Sequence, residues 1–297
     1  MKKVQTVLGS IPAEELGVTL PHIHIYIGYA RDPKDPTECL PDTEKNIKEL
    51  ESYKKVGGKS IVDGSPIQDV KVLADISKQS KVNIVSTTGL DWKDKSILDK
   101  NIEEVASVLI RNVKEGVGNA GVKCGVLKSG ASYNVITPIE ERALKIVAKA
   151  QLETDAPIFL HTTIGTMGTE MLEILNKEGV DLSRVMVGHI DRNPDIAFHR
   201  EIAKLGANLL YDQISKVKYW PVCMTVDILK RLVEEGFEEQ IMLSLDFGHW
   251  TDLKAYGGGP GYTYILEKFI PRLKNEGFKE ATIHNFMISN PMRILSF

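Results

Sequence analysis

The sequence predicts an α/β protein built as a closed (β/α)8 barrel, a TIM barrel, and three observations carry that expectation. Strand-like apolar runs alternate with helix-like segments, which implies parallel strands joined by crossover helices. Eight such units fit in about 250 residues, the usual size of a closed barrel. No G-x-G-x-x-G follows the first core strand, so the dinucleotide-binding form of the rival open sheet lacks its usual sign. The 297 residues show no composition break that would mark a linker, so 1–297 reads as one barrel domain.

Val4 to Leu8, Gly9-Ser10 and Gly17 to Leu20 read as a short N-terminal hairpin leading into the first core strand, which ends at Pro21-His22-Ile23-His24. Gly28 to Pro41, rich in Pro, Asp and Gly, reads as a long loop, and long loops are often functional. From Asp42 the spacing of Ile47, Leu50 and Tyr53 predicts a helix that stops at Gly57-Gly58. Ser60 to Asp63 is the second strand, and Asp69 to Gln79 a helix. Val82 to Thr88 is the third strand, followed by a helix through Val105, Leu109 and Val113, and Val122 to Lys128 is the fourth. Thr137-Pro138-Ile139-Glu140 forms a capping box with proline in the first turn, and its helix runs to about Thr154. Ile158 to His161 and Val185 to His189 are strands five and six, with Met171 to Leu175 helical between them. Ile196 to Leu205 is helical, Asn208 to Tyr211 is strand seven, and Val226 to Val233 is helical. Ile241 to Asp246 is strand eight, and Tyr264 to Leu273 is the last long helix.

Composition narrows the partners. A formal net charge of -3 speaks against a nucleic-acid or anionic-membrane binder. Cys39, Cys124 and Cys223 are far apart and lack C-x-x-C spacing, which suits a reducing compartment and no zinc knuckle. No apolar h-region follows Lys2-Lys3, and no run approaches the ~20 apolar residues of a membrane span. The expectation is a cytoplasmic protein acting on a small molecule, with homodimer formation left open.

The chemistry collects at the strand ends. His22 and His24 end strand one, Lys128 strand four, His161 strand five, His189 strand six and Asp246 strand eight. In a barrel these ends meet at one mouth, where active sites sit. Strand alternation puts His22 and His24 on one side and Ile23 on the other. Imidazoles and a carboxylate suit zinc, iron, cobalt or manganese, and four His with one Asp suffice for two ions if an anion bridges them. Lys128 either pairs with Asp246 or solvent, or reacts as a neutral amine with carbon dioxide to give a bridging carbamate. Asp191 either orients a ligand and relays protons, or pairs with Arg192 or caps the following helix. His199 and His284 are read as surface or structural residues. Lys216, Lys218 and Tyr219 after strand seven, with Gly258 in the glycine loop after strand eight, suit a phosphate; the alternatives are solvated charge and a flexible lid. Tyr133 and Trp250 either line the pocket or pack its rim.

Thr6-Val7-Leu8-Gly9, Leu16-Gly17-Val18-Thr19-Leu20, His22-x-His24, Lys128, His161-Thr162, Gly188-His189-Ile190-Asp191-Arg192 and Asp246 together resemble the phosphotriesterase family of the amidohydrolase superfamily, over nearly the whole chain. The resemblance implies that His22, His24 and Asp246 hold one metal and His161 and His189 the second. Carbamylated Lys128 and a hydroxide would bridge them, with zinc the expected ion and manganese, cobalt or iron the alternatives. Ile23 departs from the glutamate usual there, and since it points away the ligand set is kept. Gly57 to Asp63, Ser132 to Pro138, Lys218-Tyr219 and Tyr256 to Gly261 look closer to the sugar-lactonase branch, some members of which act on phosphorylated lactones. The implied function is a binuclear-metal hydrolase that opens a sugar lactone, a phosphorylated aldono-lactone among the candidates. Asp246 would take the proton of the attacking hydroxide and pass it to the leaving alkoxide. A phosphotriesterase or promiscuous carboxylesterase with the same metal site is the alternative, and a non-catalytic sugar-phosphate-binding barrel the second.

Overall fold

The computed structural model describes residues 2–30, 34–66, 69–90 and 94–297, so residues 31–33 of the Gly28 to Pro41 loop lie outside the described residues. Two short strands, β1 (Lys3–Thr6) and β2 (Gly9–Pro12), form an antiparallel hairpin. Eight parallel strands follow in spatial order of sequence: β3 (Thr19–Ile23), β4 (Ser60–Asp63), β5 (Asn83–Gly89), β6 (Val126–Ala131), β7 (Ile158–Thr162), β8 (Val185–Gly188), β9 (Asn208–Tyr211) and β10 (Ile241–Leu243). The crossovers carry helices α1 (Thr43–Lys55), α2 (Val70–Ser80), α3 (Ile102–Lys114), α4 (Pro138–Thr154), α5 (Gly168–Lys177), α6 (Ile196–Lys204) and α7 (Val222–Glu234). The (β/α)8 architecture is therefore the one predicted, with the small hairpin before it.

Closure falls between β3 and the segment after β10. His24 N donates to Phe247 O at 2.9 Å, Asp246 N donates to His22 O at 3.1 Å, and Ser244 Oγ donates to His22 O at 2.6 Å. Residues of the first and last strands thus share one seam, and both carry candidate ligands.

Period-two alternation explains the two apolar layers. Val62, Val85, Val126, Phe159, Met186, Leu210 and Met242, one from each of β4 to β10, form an inner plug with Val4, Leu16, Ile294 and Leu295. Their strand neighbours, such as Ile61, Ile84, Leu127, Leu160, Val187 and Leu243, pack in the outer layer with the helix faces. Full burial of each large apolar side chain contributes about 1.5–3 kcal/mol, so this plug is a firm floor. Two residues beyond the plug along each strand lies the next inward layer: Gly64, Thr87, Lys128, His161, Gly188, Asp212 and Ser244. Polar chemistry stands directly on an apolar base.

Several predicted boundaries move. β6 begins at Val126, four residues later than expected, and reaches Ala131, three residues beyond Lys128; its start moves because Cys124 N is taken by Asn112 O and not by a strand partner. β10 stops at Leu243, and Asp246 beyond it has a positive φ of 46°. The Tyr264 to Leu273 segment is not the last helical one: Glu280–His284 and Asn290–Leu295 follow, joined by a wide π turn at Asn285–Ser289. A second wide turn, Ile265–Phe269, precedes Pro271 as the other precedes Pro291. Proline lacks the amide that continues an α-helix and its ring crowds the preceding turn, which favours the wider winding.

Candidate metal centre

His22, His189 and Asp246 converge at the C-terminal mouth, with ligand atoms all within 4.8 Å of one another. His24 Nε2 lies 3.3 Å from Asp246 Oδ1, and His189 Nε2 lies 2.9 Å from His161 Nδ1. All five side chains that the sequence analysis put forward as nitrogen or carboxylate ligands are therefore neighbours. Ile23 is fully buried in the outer layer, opposite His22.

Three of the four rings are held from behind, while His161 meets His189 through Nδ1. His22 Nδ1 is 2.8 Å from Asp212 Oδ2, His189 Nδ1 is 2.9 Å from Asp212 Oδ1, and His24 Nδ1 is 2.7 Å from Ser65 Oγ. An ionised carboxylate only accepts, so Asp212 fixes the proton of His22 on Nδ1 and leaves the Nε2 lone pair exposed to the site. That Nε2 is buried and has no hydrogen-bond partner, while facing Asp246 Oδ1 at 3.5 Å. A buried, unsatisfied imidazole nitrogen beside a carboxylate is costly unless a cation completes it, so the donor set fits a divalent ion.

Glycines make room for this packing. A Cβ on Gly64 would stand 2.2 Å from His22 Cδ2, and one on Gly188 would stand 2.4 Å from the Phe159 ring. Lys128 is buried, donates from Nζ to Gly64 O at 2.6 Å and lies 4.7 Å above the Phe159 ring. It does not reach solvent.

Burial, then His189 and Lys128, hold His161 well below the ordinary imidazole range, and burial lowers His22 as well. Both shifts favour the neutral imidazole, the form that metal ligation requires. Burial works against ionisation of Asp246, yet Lys216, His22 and His189 together keep it well below the usual carboxylate range. Burial also lowers His189, but the charges of Asp212 and Asp246 outweigh it and the net shift is upward. Asp191 is pushed up to about 7 by burial and by the charge of Asp212. Its carboxylate accepts from Gln213 N at 2.7 Å, so it ties the end of β8 to that of β9; Asp195, not Asp191, caps α6.

The expected substrate residues separate. Lys216 is not a rim lysine: Nζ lies 3.0 Å from Asp246 Oδ2 and donates to Asp246 O at 2.7 Å. Lys218 is exposed and lies 5.1 Å from the Tyr219 ring centroid, and the Arg192 guanidinium covers that ring at 3.8 Å. Tyr133 is exposed. Gly258 offers no amide to a ligand, because its N–H goes to Leu253 O at 3.0 Å; a Cβ there would meet Thr251 O at 2.1 Å, which explains the glycine by close backbone approach. His199 is buried and structural, while His284 is exposed.

Sequence reasoning missed Asp212, Ser65 and Gln213, whose Nε2 donates to Asp246 Oδ2 at 2.7 Å. Asp212 follows the Asn208–Tyr211 strand on the same face as Leu210.

The model of the phosphotriesterase family matches residues 2–295. The chain is 32% identical over 326 residues to a protein of Mycoplasmopsis agalactiae named phospho-furanose lactonase, covering all of this chain and 92% of that one. A solved lactonase from Listeria monocytogenes superposes with a TM-score of 0.94 at 34% identity, covering 99% of each chain. The phosphotriesterase homology protein of Escherichia coli, solved with phosphate in its active site, has a TM-score of 0.91 at 29% identity, over 95% of this chain and 99% of that one.

Proposed function

The chain belongs to the phosphotriesterase family, and from that premise we propose that this hydrolase opens a sugar lactone, with a phosphorylated aldono-lactone as its preferred substrate. The observation that carries the reading is the buried, partnerless His22 Nε2 facing Asp246, in a cluster of imidazoles and one carboxylate at the mouth. His22, His24 and Asp246 would hold one ion, His161 and His189 the second, and Lys128, once carbamylated, would bridge them. Zinc suits this donor set best, with manganese, cobalt and iron as alternatives. When bound, two divalent ions would lower the pKa of a water and polarise the ester carbonyl. Asp246 takes the proton from the attacking water and returns it to the ring alkoxide as it leaves. Gln213 holds Asp246 Oδ2 for that task.

Lys218, Tyr219 and Tyr133 are the residues proposed to meet the substrate's far end. The name phospho-furanose lactonase borne by one relative, and the phosphate in the active site of one neighbour, support an anionic group on the substrate. The test is a panel of furanose and pyranose lactones, with and without a terminal phosphate, beside an aryl phosphotriester, assayed on zinc-loaded enzyme. Phosphorylated lactones are expected to turn over fastest. Lys218→Ala should raise KM for the phosphorylated lactone at least tenfold while leaving the unphosphorylated one nearly unchanged. Preferred hydrolysis of the phosphotriester would refute the lactonase reading, and equal effects of Lys218→Ala on both lactones would refute the phosphate contact.

A further inference from the structure

We propose that Asp212 is a shared positioning residue that sets the tautomer of one histidine in each metal position, and that its two oxygens do so unequally. The inference rests on the two-ion reading above, which assigns His22 to one position and His189 to the other. Asp212 is fully buried, with Oδ2 on His22 Nδ1 at 2.8 Å and Oδ1 on His189 Nδ1 at 2.9 Å. Because a carboxylate offers only lone pairs, both imidazoles present N–H to it; Gln213 Nε2, also 2.9 Å from His189 Nδ1, spends its two protons on Asp246 Oδ2 and Asp212 Oδ1, so both histidine Nε2 lone pairs face the site.

The inequality lies in the other partners. Oδ1 also accepts His189 N at 3.0 Å and Gln213 Nε2 at 3.3 Å, so three N–H groups converge on it. An asparagine of the same shape has one oxygen and one NH2 group. Its oxygen settles where the three donors are, which turns the NH2 toward His22 Nδ1. Two N–H groups cannot face each other across 2.8 Å, so His22 must shift its proton to Nε2. That is the atom aimed at Asp246 Oδ1. The lone pair is lost on the His22 side and kept on the His189 side.

Asp212→Asn is therefore expected to weaken one ion by about 10–100-fold and leave the other near its original affinity, whereas Asp212→Ala weakens both. Zinc titration against a competing chromophoric chelator reads the two affinities. Histidine side-chain nitrogen NMR on the metal-free protein reads the tautomers directly: His22 and His189 both protonated at Nδ1 in the parent, His22 at Nε2 in Asp212→Asn. Equal weakening of both ions in Asp212→Asn, no weakening at all, or a parent His22 already protonated at Nε2 would overturn the proposal. A parent protein that binds fewer than two ions would sink the two-ion reading, and the tautomer spectra would still decide the role of Asp212. Should Asp212→Asn fail to fold, the parent spectrum alone keeps the proposal open to refutation.

Discussion

A largely buried ammonium beside a candidate ligand carboxylate would oppose metal loading, and Lys216 is such a group. Its side chain is 12% exposed, and Nζ sits 3.0 Å from Asp246 Oδ2. Unit charges ~4 Å apart at a protein-like dielectric interact by about 4 kcal/mol, and even a third of that is about tenfold in affinity. Lys216→Met should therefore bind zinc at least about tenfold more tightly than the parent, even if turnover falls; unchanged or weaker zinc binding in a chelator competition would show that Lys216 does not compete for Asp246. Gly64 predicts the opposite. Because a Cβ there would stand 2.2 and 2.4 Å from His22 Cδ2 and Nε2, Gly64→Ala must push the ring off its position. Zinc affinity is expected to fall at least tenfold with the far-UV circular dichroism unchanged, and a variant that keeps full affinity would show that the ring can shift without loss. Single residues were legible where their chemistry is rare, as for His22, His24, His161, His189 and Asp246. Asp212 was not, because a carboxylate after a strand is common and only three-dimensional packing shows that it faces two rings at once.

Among the elements, α6 is tied to β9 by a buried histidine. His199 Nε2 donates to Asn193 O at 2.7 Å, and Nδ1 accepts from the Tyr211 hydroxyl at 2.6 Å. Burial lowers its pKa from 6.5 to about 4. The folded state thus keeps the ring neutral while the unfolded chain protonates it below about pH 6.5. Stability from this group is fully present above that value and is lost as the pH falls toward 4, by about 3 kcal/mol at about 1.4 kcal/mol per unit. His199→Gln should be less stable at pH 7, yet lose less on acidification to pH 4.5. Parallel unfolding free energies for the two proteins across that range would refute the assignment. Capped and strongly amphipathic elements were the legible ones: α4 begins with the capping box of Thr137 and Glu140, and β9 spans the expected residues. The start of β6 and the helical run from Glu280 were not, because apolar Val122 reads locally as strand while the nearby Cys124 N bonds to Asn112 O, and the proline at 291 reads locally as a helix stop but is absorbed by a wide turn.

At the scale of the whole barrel, eight alternating units were enough to predict closure, but not where the closure is weakest. β10 has three residues, Ile241–Leu243, and the link to β3 passes through the backbone of the candidate ligands: Asp246 N to His22 O, and His24 N to Phe247 O. β6 and β7, by contrast, pair over five residues in continuous register. Bound ions would tie side chains at the ends of β3, β6, β7 and β8 to Asp246, so such a cage would bridge the seam as well as serve chemistry. Ions that bind only the folded state stabilise it by RT ln(1 + [L]/Kd), and the effect should be concentrated where the ligands interrupt the sheet. Removing metal with a chelator is expected to lower Tm and to speed hydrogen exchange at the His24 and Asp246 amides at least tenfold more than at Leu160 or Val187. Uniform acceleration over all eight strands would mean that the ions stabilise the barrel as one cooperative unit and that the seam has no special weakness.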